Sequence, residues 1–400
     1  MAGEHQYAND IVAWLVSEAR FLDPAVAIEG FAHRLRATGL PIDRITTSVR
    51  VLSPTILAVG TVWRPGHAIT LSTYDYVERD EGLYERSPYY VVHQTGRPLR
   101  IDIGETPDDR FGIVPELKAE GIRAYWVEPL PFVDGVLNVI TFATRDPAGF
   151  PAFFAGLLAR VLPAFTAVME VFSSHRVLRG LLAAYVGEGP ARQIVSGTTH
   201  RGEVTRIRAA VLFADLRGFT ALSTRMPPEE TAELLNRYYD LIVPAMTDRG
   251  GNILKFIGDG VLAIFSDEEQ GSAGSCANAL AAAERALAAA SAQDFGTDEP
   301  IRFGLALHHG DVAYGNVGSG SRLDFTAVGR DVNVTARISG LCSVLERPLL
   351  VSTGFAALLP GRDFVSRGWH TVRGLADPIE VLEPAGLEAA WPRAVSGVPA

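Results

Sequence analysis

The stretch Asn252–Phe265, "NILKFIGDGVLAIF", sets two apolar runs on either side of a Gly-Asp-Gly turn, a strong short-range signature of a β-hairpin. Its flanks extend the pattern. Upstream, the apolar run "IRAAVLFAD" (207–215) passes through "LRGFTALS" (216–223) into a helical segment from Pro228 to about Met246. Downstream, an alanine-rich helix from Ser275 to Ala290 precedes the strand "IRFGLALHHG" (301–310). The order β-α-β-β-α-β predicts an α+β domain of the ferredoxin-like kind. A hairpin or strand pair over Val312–Val328 and a helix from Asp331 to about Ser343 complete it.

In that arrangement the strand ending at Asp215 lies beside the hairpin whose tip is Asp259, so the two carboxylates converge at one sheet edge. Like charges that close repel unless a cation lies between them, and hard oxygen ligands suit Mg2+ or Mn2+. Asp before Gly is also an ordinary turn residue, so Asp259 alone says less than the pair. Gly218 precedes a helical turn beginning with Phe219 and Thr220. Backbone N–H groups there can hold phosphate oxygens, and divalent ions beside them would clamp an in-line displacement at phosphorus. Lys255, four positions before Asp259, is either a lysine snorkelling from an edge strand or a donor facing a nucleobase. In "LDFTAVGRDVNVTARI" (323–338), Asn333 and Arg337 stand at i and i+4 on one helix face, while Val332, Val334 and Ile338 turn to the core. Arginine keeps its proton and asparagine offers a donor and an acceptor in one fork. The pair suits a developing negative charge and a ribose, with a solvated helix face as the plainer alternative.

The whole chain sets outer limits. Its 400 residues predict two domains plus a connector, and a net charge of −10 without a basic block argues against broad nucleic-acid binding. Two cysteines, Cys276 and Cys342, make neither a disulfide framework nor a zinc site. They read as small apolar fillers in a reducing cytosol, and the first residues lack the pattern of a secretion signal, so the expected location is cytoplasmic. His308 and His309 are adjacent on a strand and point to opposite faces, which argues against a metal pair. "AFFAGLLARVLPAFTAVMEVF" (152–172) tempts a membrane reading, but Arg160, Pro163 and Glu170 are expensive in hydrocarbon. Its Phe154, Leu158, Val161, Phe165, Val168 and Phe172 step by four and three, predicting a coiled-coil-like seam instead.

Residues 1–150 read as helices near Ala8–Arg20 and Ala25–Thr38, then six strands around 44–52, 55–63, 67–74, 98–103, 122–130 and 135–144, with a helical piece at "YYVVHQTG" (89–96). This predicts an α+β sensor fold of the GAF or PAS kind, whose Tyr74, Tyr76, Tyr89, Tyr90, Tyr125 and Trp126 line a pocket or simply pack. The expected division is a regulatory domain at 1–150, a helical connector at 151–205, a catalytic domain at 206–386 and a tail at 387–400.

"FADLRGFT", "KFIGDGVLAIF", "HHGDVAYGNVG" and "DFTAVGRDVNVTARI" together resemble the motif set of the class III nucleotidyl cyclases, in the bacterial subgroup with Thr rather than Asp in the base pocket. The likeness covers roughly Arg206 to Pro384, and the N-terminal half loosely resembles the GAF-like region ahead of some bacterial cyclase domains. The resemblance implies that Asp215, Asp259 and the carbonyl of Leu216 bind two Mg2+ or Mn2+ ions, and that Lys255 and Thr326 read the purine. It further implies that Asn333 orients the ribose and Arg337 stabilises charge at the α-phosphate. The implied reaction converts ATP to 3′,5′-cyclic AMP and pyrophosphate at the interface of a homodimer. Asp215 and Asp259 would come from one protomer and the other four residues from its partner. A small-molecule or protein regulator acting on the N-terminal domain would tune it. A lysine ammonium only donates, so Lys255 fits adenine N1 and conflicts with the N1–H of guanine. Guanylate cyclase activity and a non-catalytic nucleotide-responsive module are the alternatives. One departure from the family pattern is Leu375 where some relatives place a triphosphate-binding lysine, with Arg373 the nearest basic group.

Overall fold

A computed structural model describes residues 2–54, 56–75, 82, 84–292, 295 and 301–387, and the chain divides into two compact units, Met1–Leu181 and Leu182–Ala400. The first unit runs α1 (Ala2–Ser17), α2 (Pro24–Ala37), β1 (Arg44–Arg50), β2 (Ile56–Trp63), β3 (Thr70–Asp75), α3 (Pro88–Thr95), β4 (Leu99–Asp102), α4 (Val114–Ala119), β5 (Ala124–Pro131), β6 (Leu137–Thr144) and α5 (Phe154–Val186). All six expected strands form one antiparallel sheet in the order β3-β2-β1-β6-β5-β4. Local chemistry starts its helices: Asp23 accepts from the Ala25 N–H ahead of α2, Ser87 does the same for Tyr90 ahead of α3, and each is followed by proline. The six-residue α4 was not expected, being too short to show a period.

Alternation along the strands separates two cores. Ile45, Trp63, Ile140 and Phe142 pack with α1, α2 and α5, while Val127, Val139 and Ala143 pack with α3 and α4. The expected seam of α5 therefore has a different partner. Phe154, Leu158, Val161, Phe165 and Val168 are buried in their own unit, and Phe165 stacks on Phe31 with ring centroids 4.4 Å apart. A four-three stripe serves a sheet as well as a second helix. By length and composition α5 could cross a membrane, yet half of its apolar stretch is buried inside the protein. The aromatic residues do not line one pocket either. Tyr125 and Trp126 face opposite cores, Trp126 meeting Phe150 and Phe154 with the Arg100 guanidinium 3.8 Å from its ring, and Tyr76 lies outside the described residues.

The second unit runs α6 (Glu188–Val195), β7 (Val204–Leu216), α7 (Phe219–Arg225), α8 (Pro228–Thr247), β8 (Asn252–Ile257), β9 (Gly260–Ser266), α9 (Gly271–Ala292), β10 (Phe303–Gly318), β11 (Leu323–Val328), α10 (Arg330–Val344), β12 (Leu349–Ser352), α11 (Thr353–Ala356), β13 (Phe364–His370) and β14 (Ile379–Pro384). Its sheet order is β13-β14-β12-β10-β7-β9-β8, with β11 paired to β10. The central β10-β7-β9-β8 run is the ferredoxin-like order expected from the sequence. Helices α8 and α9 cover one face, where Ala279, Ala282, Ala283 and Ala286 are fully buried and let α9 approach closely. On the other face α10 packs Val334, Ile338 and Cys342 against Ala306, Leu350 and Val381.

One expected boundary is absent. The strand at 301–310 and the first half of the pair over 312–328 are a single strand, β10. Gly310 in its middle is not a turn. A Cβ there would collide with the Asp331 carboxylate, so the glycine admits the start of α10 to the sheet. Cys276 and Cys342 are buried free thiols on helices.

Candidate active site

Asp215, the penultimate residue of β7, lies opposite Gly260, and Ile257 pairs with Gly260 across a two-residue loop of Gly258 and Asp259. Gly258 has a φ of 62°, the positive value that hairpin turns of the II′ kind assign to glycine at the first loop position. The register thus sets both carboxylates at one sheet edge. Burial, reinforced by the Asp259 charge, pushes the Asp215 carboxyl up to about 6, while Arg217 opposes the shift. The hairpin tip is fastened from outside by Tyr239 on α8, whose hydroxyl donates to the Gly258 carbonyl at 2.6 Å and whose ring lies 4.2 Å from that of Phe256.

The remaining positions fall in two groups. Lys255 on β8 forms an ion pair with Asp324 on β11 at 2.6 Å. Thr326, two residues along the same strand, is buried, and its hydroxyl oxygen has no hydrogen-bond partner. Asn333 and Arg337 both lie exposed on one face of α10, and among the described residues no ion pair engages Arg337. The N-terminal anchor of this helix is Asp331, which accepts from the Asp311 N–H at 2.7 Å and lies 3.5 Å from His308 Nε2. His308 also meets the Ser352 hydroxyl at 2.7 Å, and burial holds its imidazole below the usual histidine range. The neighbouring His309 instead meets Asp267 at 3.0 Å, so the two imidazoles serve different contacts.

Among the described residues, no hydrogen bond or ion pair joins the carboxylate pair to Lys255, Thr326, Asn333 or Arg337 within one chain. Gly218, with φ 72°, opens α7 as an exposed cap, and Thr220 is exposed beside it. Phe219 was expected to act through its backbone N–H. Its side chain is partly buried and packs against the core. Leu216 is likewise buried through its side chain. Arg373 is exposed, and Leu375 packs beside the α10 core.

A model of the adenylate and guanylate cyclase catalytic domain matches residues 205–381. The second unit belongs to the adenylate and guanylate cyclase family. An adenylate cyclase from Anabaena cylindrica is 36% identical over 154 residues, covering 36% of this chain and 30% of that protein. Adenylate cyclase 1 from Rhizobium meliloti is 29% identical over 210 residues, covering 51% of this chain and 32% of that protein, so the chain spans about a third of the length of these relatives. The adenylyl cyclase CyaB from P. aeruginosa is 27% identical with a TM-score of 0.41, covering 48% of this chain and 100% of that one.

The donor chemistry of this cyclase domain fits a hard divalent cation. Asp215 and Asp259 supply two carboxylates held close enough to repel, and the Leu216 carbonyl is a third oxygen next in sequence. Among the described residues no cluster of three or more His, Cys, Asp or Glu forms a metal cage. Two carboxylates completed by substrate phosphates is the usual way Mg2+ is held.

Sequence reasoning missed three residues of the cyclase domain: Asp324, Arg217 and Tyr239. Asp324 shares strand parity with Thr326 and was within reach of a period-two argument. Arg217 sits inside the quoted "LRGFT" motif. Tyr239 carried no local signal, because its contact is with a turn 19 residues away.

Proposed function

We propose that the protein is an adenylate cyclase, converting ATP to 3′,5′-cyclic AMP and pyrophosphate at a homodimer interface under control of its N-terminal unit. The observation that carries this reading is the Asp215–Asp259 pair, two carboxylates forced together at a sheet edge in a domain of the cyclase family. Mg2+ or Mn2+ bound there, two per site, would lower the pKa of the ribose 3′ hydroxyl and neutralise charge building at the α-phosphorus. The 3′ hydroxyl gives up its proton to solvent, its oxygen attacks the α-phosphorus, the bond from that phosphorus to the oxygen bridging to the β-phosphate breaks, and pyrophosphate leaves. Arg337, exposed and without an ion-pair partner among the described residues, donates to the α-phosphate oxygens, and Asn333 one turn away holds the ribose. The exposed turn at Gly218 and Thr220, with the backbone of Phe219, receives the outer phosphates.

The separation of the two groups within one chain supports the dimer. Asp215 and Asp259 serve one site, while Lys255, Thr326, Asn333 and Arg337 serve the site whose carboxylates come from the partner. All six positions are filled, so a homodimer has two complete sites. Adenine is favoured by the Lys255–Asp324 pair: an ammonium suits the N1 acceptor, and a carboxylate, which only accepts, suits the N6 amine and repels guanine O6.

The reading of the N-terminal unit as a ligand-gated, GAF-like regulator is supported by a cavity of about 90 Å³ on its sheet. The facing pair Thr47 and Thr61 contributes to its lining, together with Met169, Phe172 and Arg176 of α5. A small molecule there would touch α5, the helix that precedes the cyclase domain in sequence. A reduced, ATP-rich cytoplasm is the compartment this chemistry suits.

Purified full-length protein with Mn2+ and ATP should yield 3′,5′-cyclic AMP and pyrophosphate, and Asp259→Ala should abolish both. Turnover of GTP alone would reassign the substrate, and binding of nucleotide without turnover would make the domain a sensor.

A further inference from the structure

Arg217 lies two residues beyond Asp215, yet its side chain is only 14% exposed. Its Nη2 donates to the Ser339 carbonyl of α10 at 2.7 Å, and its Nη1 lies 3.4 Å from Asp215 Oδ2. The Cys342 thiol of α10 lies against the same guanidinium. Gly304 on β10 makes room for it, since a Cβ there would collide with the guanidinium. The backbone on either side is fixed, the Arg217 N–H donating to the Arg302 carbonyl at 2.7 Å. Within this slot Nε is buried with no acceptor. A buried donor left unpaired is destabilising, so keeping a guanidinium in this slot calls for a reason other than stability.

We propose that Arg217 is a positioning residue that ties the cation-binding carboxylate to α10, the helix carrying Asn333 and Arg337. The proposal rests on the cyclase reading above. Only the planar fork of arginine reaches a side-chain carboxylate and a backbone carbonyl from one head group, which a lysine ammonium on a flexible stem does not reproduce in this slot. In the homodimer the α10 held by one Arg217 faces the partner's carboxylates. Each Arg217 therefore joins the cation half of one site to the nucleotide half of the other.

Two effects of opposite sign follow, and their combination is the test. The positive charge beside Asp215 competes with a divalent cation, so Arg217→Gln should bind Mn2+ about threefold more tightly in the nucleotide-free protein. The same change releases the Ser339 carbonyl and the end of α10, so kcat should fall roughly tenfold or more. Arg217→Lys keeps the charge and loses the fork, so its Mn2+ affinity should stay near wild type while kcat falls. Mn2+ binding is read by electron paramagnetic resonance on full-length protein without nucleotide, kcat by cyclic nucleotide formation, and folding by thermal melting.

Should Arg217→Gln fail to fold, Gly304→Ala tests the same point, because it displaces the guanidinium while leaving the charge in the chain. A lowered kcat supports the proposal there, and an unchanged kcat overturns it. Weaker Mn2+ binding in Arg217→Gln, or a wild-type kcat, would also overturn it. Failure of the underlying reading looks different: the wild-type protein would itself form no cyclic nucleotide, while the Mn2+ shift would still be measurable.

Discussion

Lys255 Nζ on β8 and Asp324 Oδ2 on β11 are 2.6 Å apart, bridging 69 residues of sequence at the edge of the cyclase domain. The pair is partly open to solvent, so as a contribution to stability it is small. In the proposed site its value would lie in orientation, because it sets a donor and an acceptor side by side.

Asp324→Ala should therefore raise the KM for ATP by about tenfold and reduce the preference for ATP over GTP, as expected when one polar group of a recognition pair is removed. Steady-state kinetics with both nucleotides checks this. Thermal stability should change by less than about 1 kcal/mol, since the pair is exposed.

Complementation probes the division of the site between chains. Asp215→Ala and Asn333→Ala homodimers should each be inactive. Mixed at equal amounts, they should recover about a quarter of wild-type activity, because half of the dimers are heterodimers and each has one intact site. No recovery in demonstrated heterodimers would place all the groups of a site in one chain.

The raised Asp215 carboxyl predicts a pH dependence with a definite sign. Its folded-state value near 6 lies above the ordinary value of 3.8, so between those limits the metal-free folded state holds more protons than the unfolded state and loses stability as pH rises. A bound cation must displace that proton. Mn2+ affinity should thus fall by up to about tenfold per pH unit below 6, and the stabilisation by Mn2+ should grow from pH 5 to 7. Calorimetric titration across that range, with chelator-treated protein as the reference, measures it, and Asp215→Asn should flatten the profile.

Tyr239→Phe removes one hydroxyl and leaves the ring contact with Phe256. Loss of its hydrogen bond to Gly258 should cost about 1 kcal/mol in denaturant unfolding. The loosened tip should also weaken Mn2+ binding, a change that loss of general packing alone would not produce at Phe, which keeps the ring.

Much of this protein was legible from local pattern. Asp215 and Asp259 announced themselves at the ends of apolar strands, and the Gly-Asp-Gly turn set the β8–β9 register, because a two-residue loop leaves little freedom, while the pairing of β7 with β9 brings Asp215 beside that turn. The i, i+4 spacing of Asn333 and Arg337 placed them on one exposed face through helix geometry alone. The six N-terminal strands were visible by composition and turn residues.

What the chain could not disclose is where faces and strands find non-local partners. The four-three stripe of α5 specifies an apolar face but not whether a sheet or another helix covers it. Gly310 reads as a turn until Asp331 is seen packed against it. Tyr125 and Trp126 belong to different cores, and Lys255 meets Asp324, because those contacts depend on which strands become neighbours. Periods of 2 and 3.6 are properties of the chain itself; the ion pair between Lys255 of β8 and Asp324 of β11, and the slot that holds Arg217 between Asp215 and Ser339, exist once distant segments have packed.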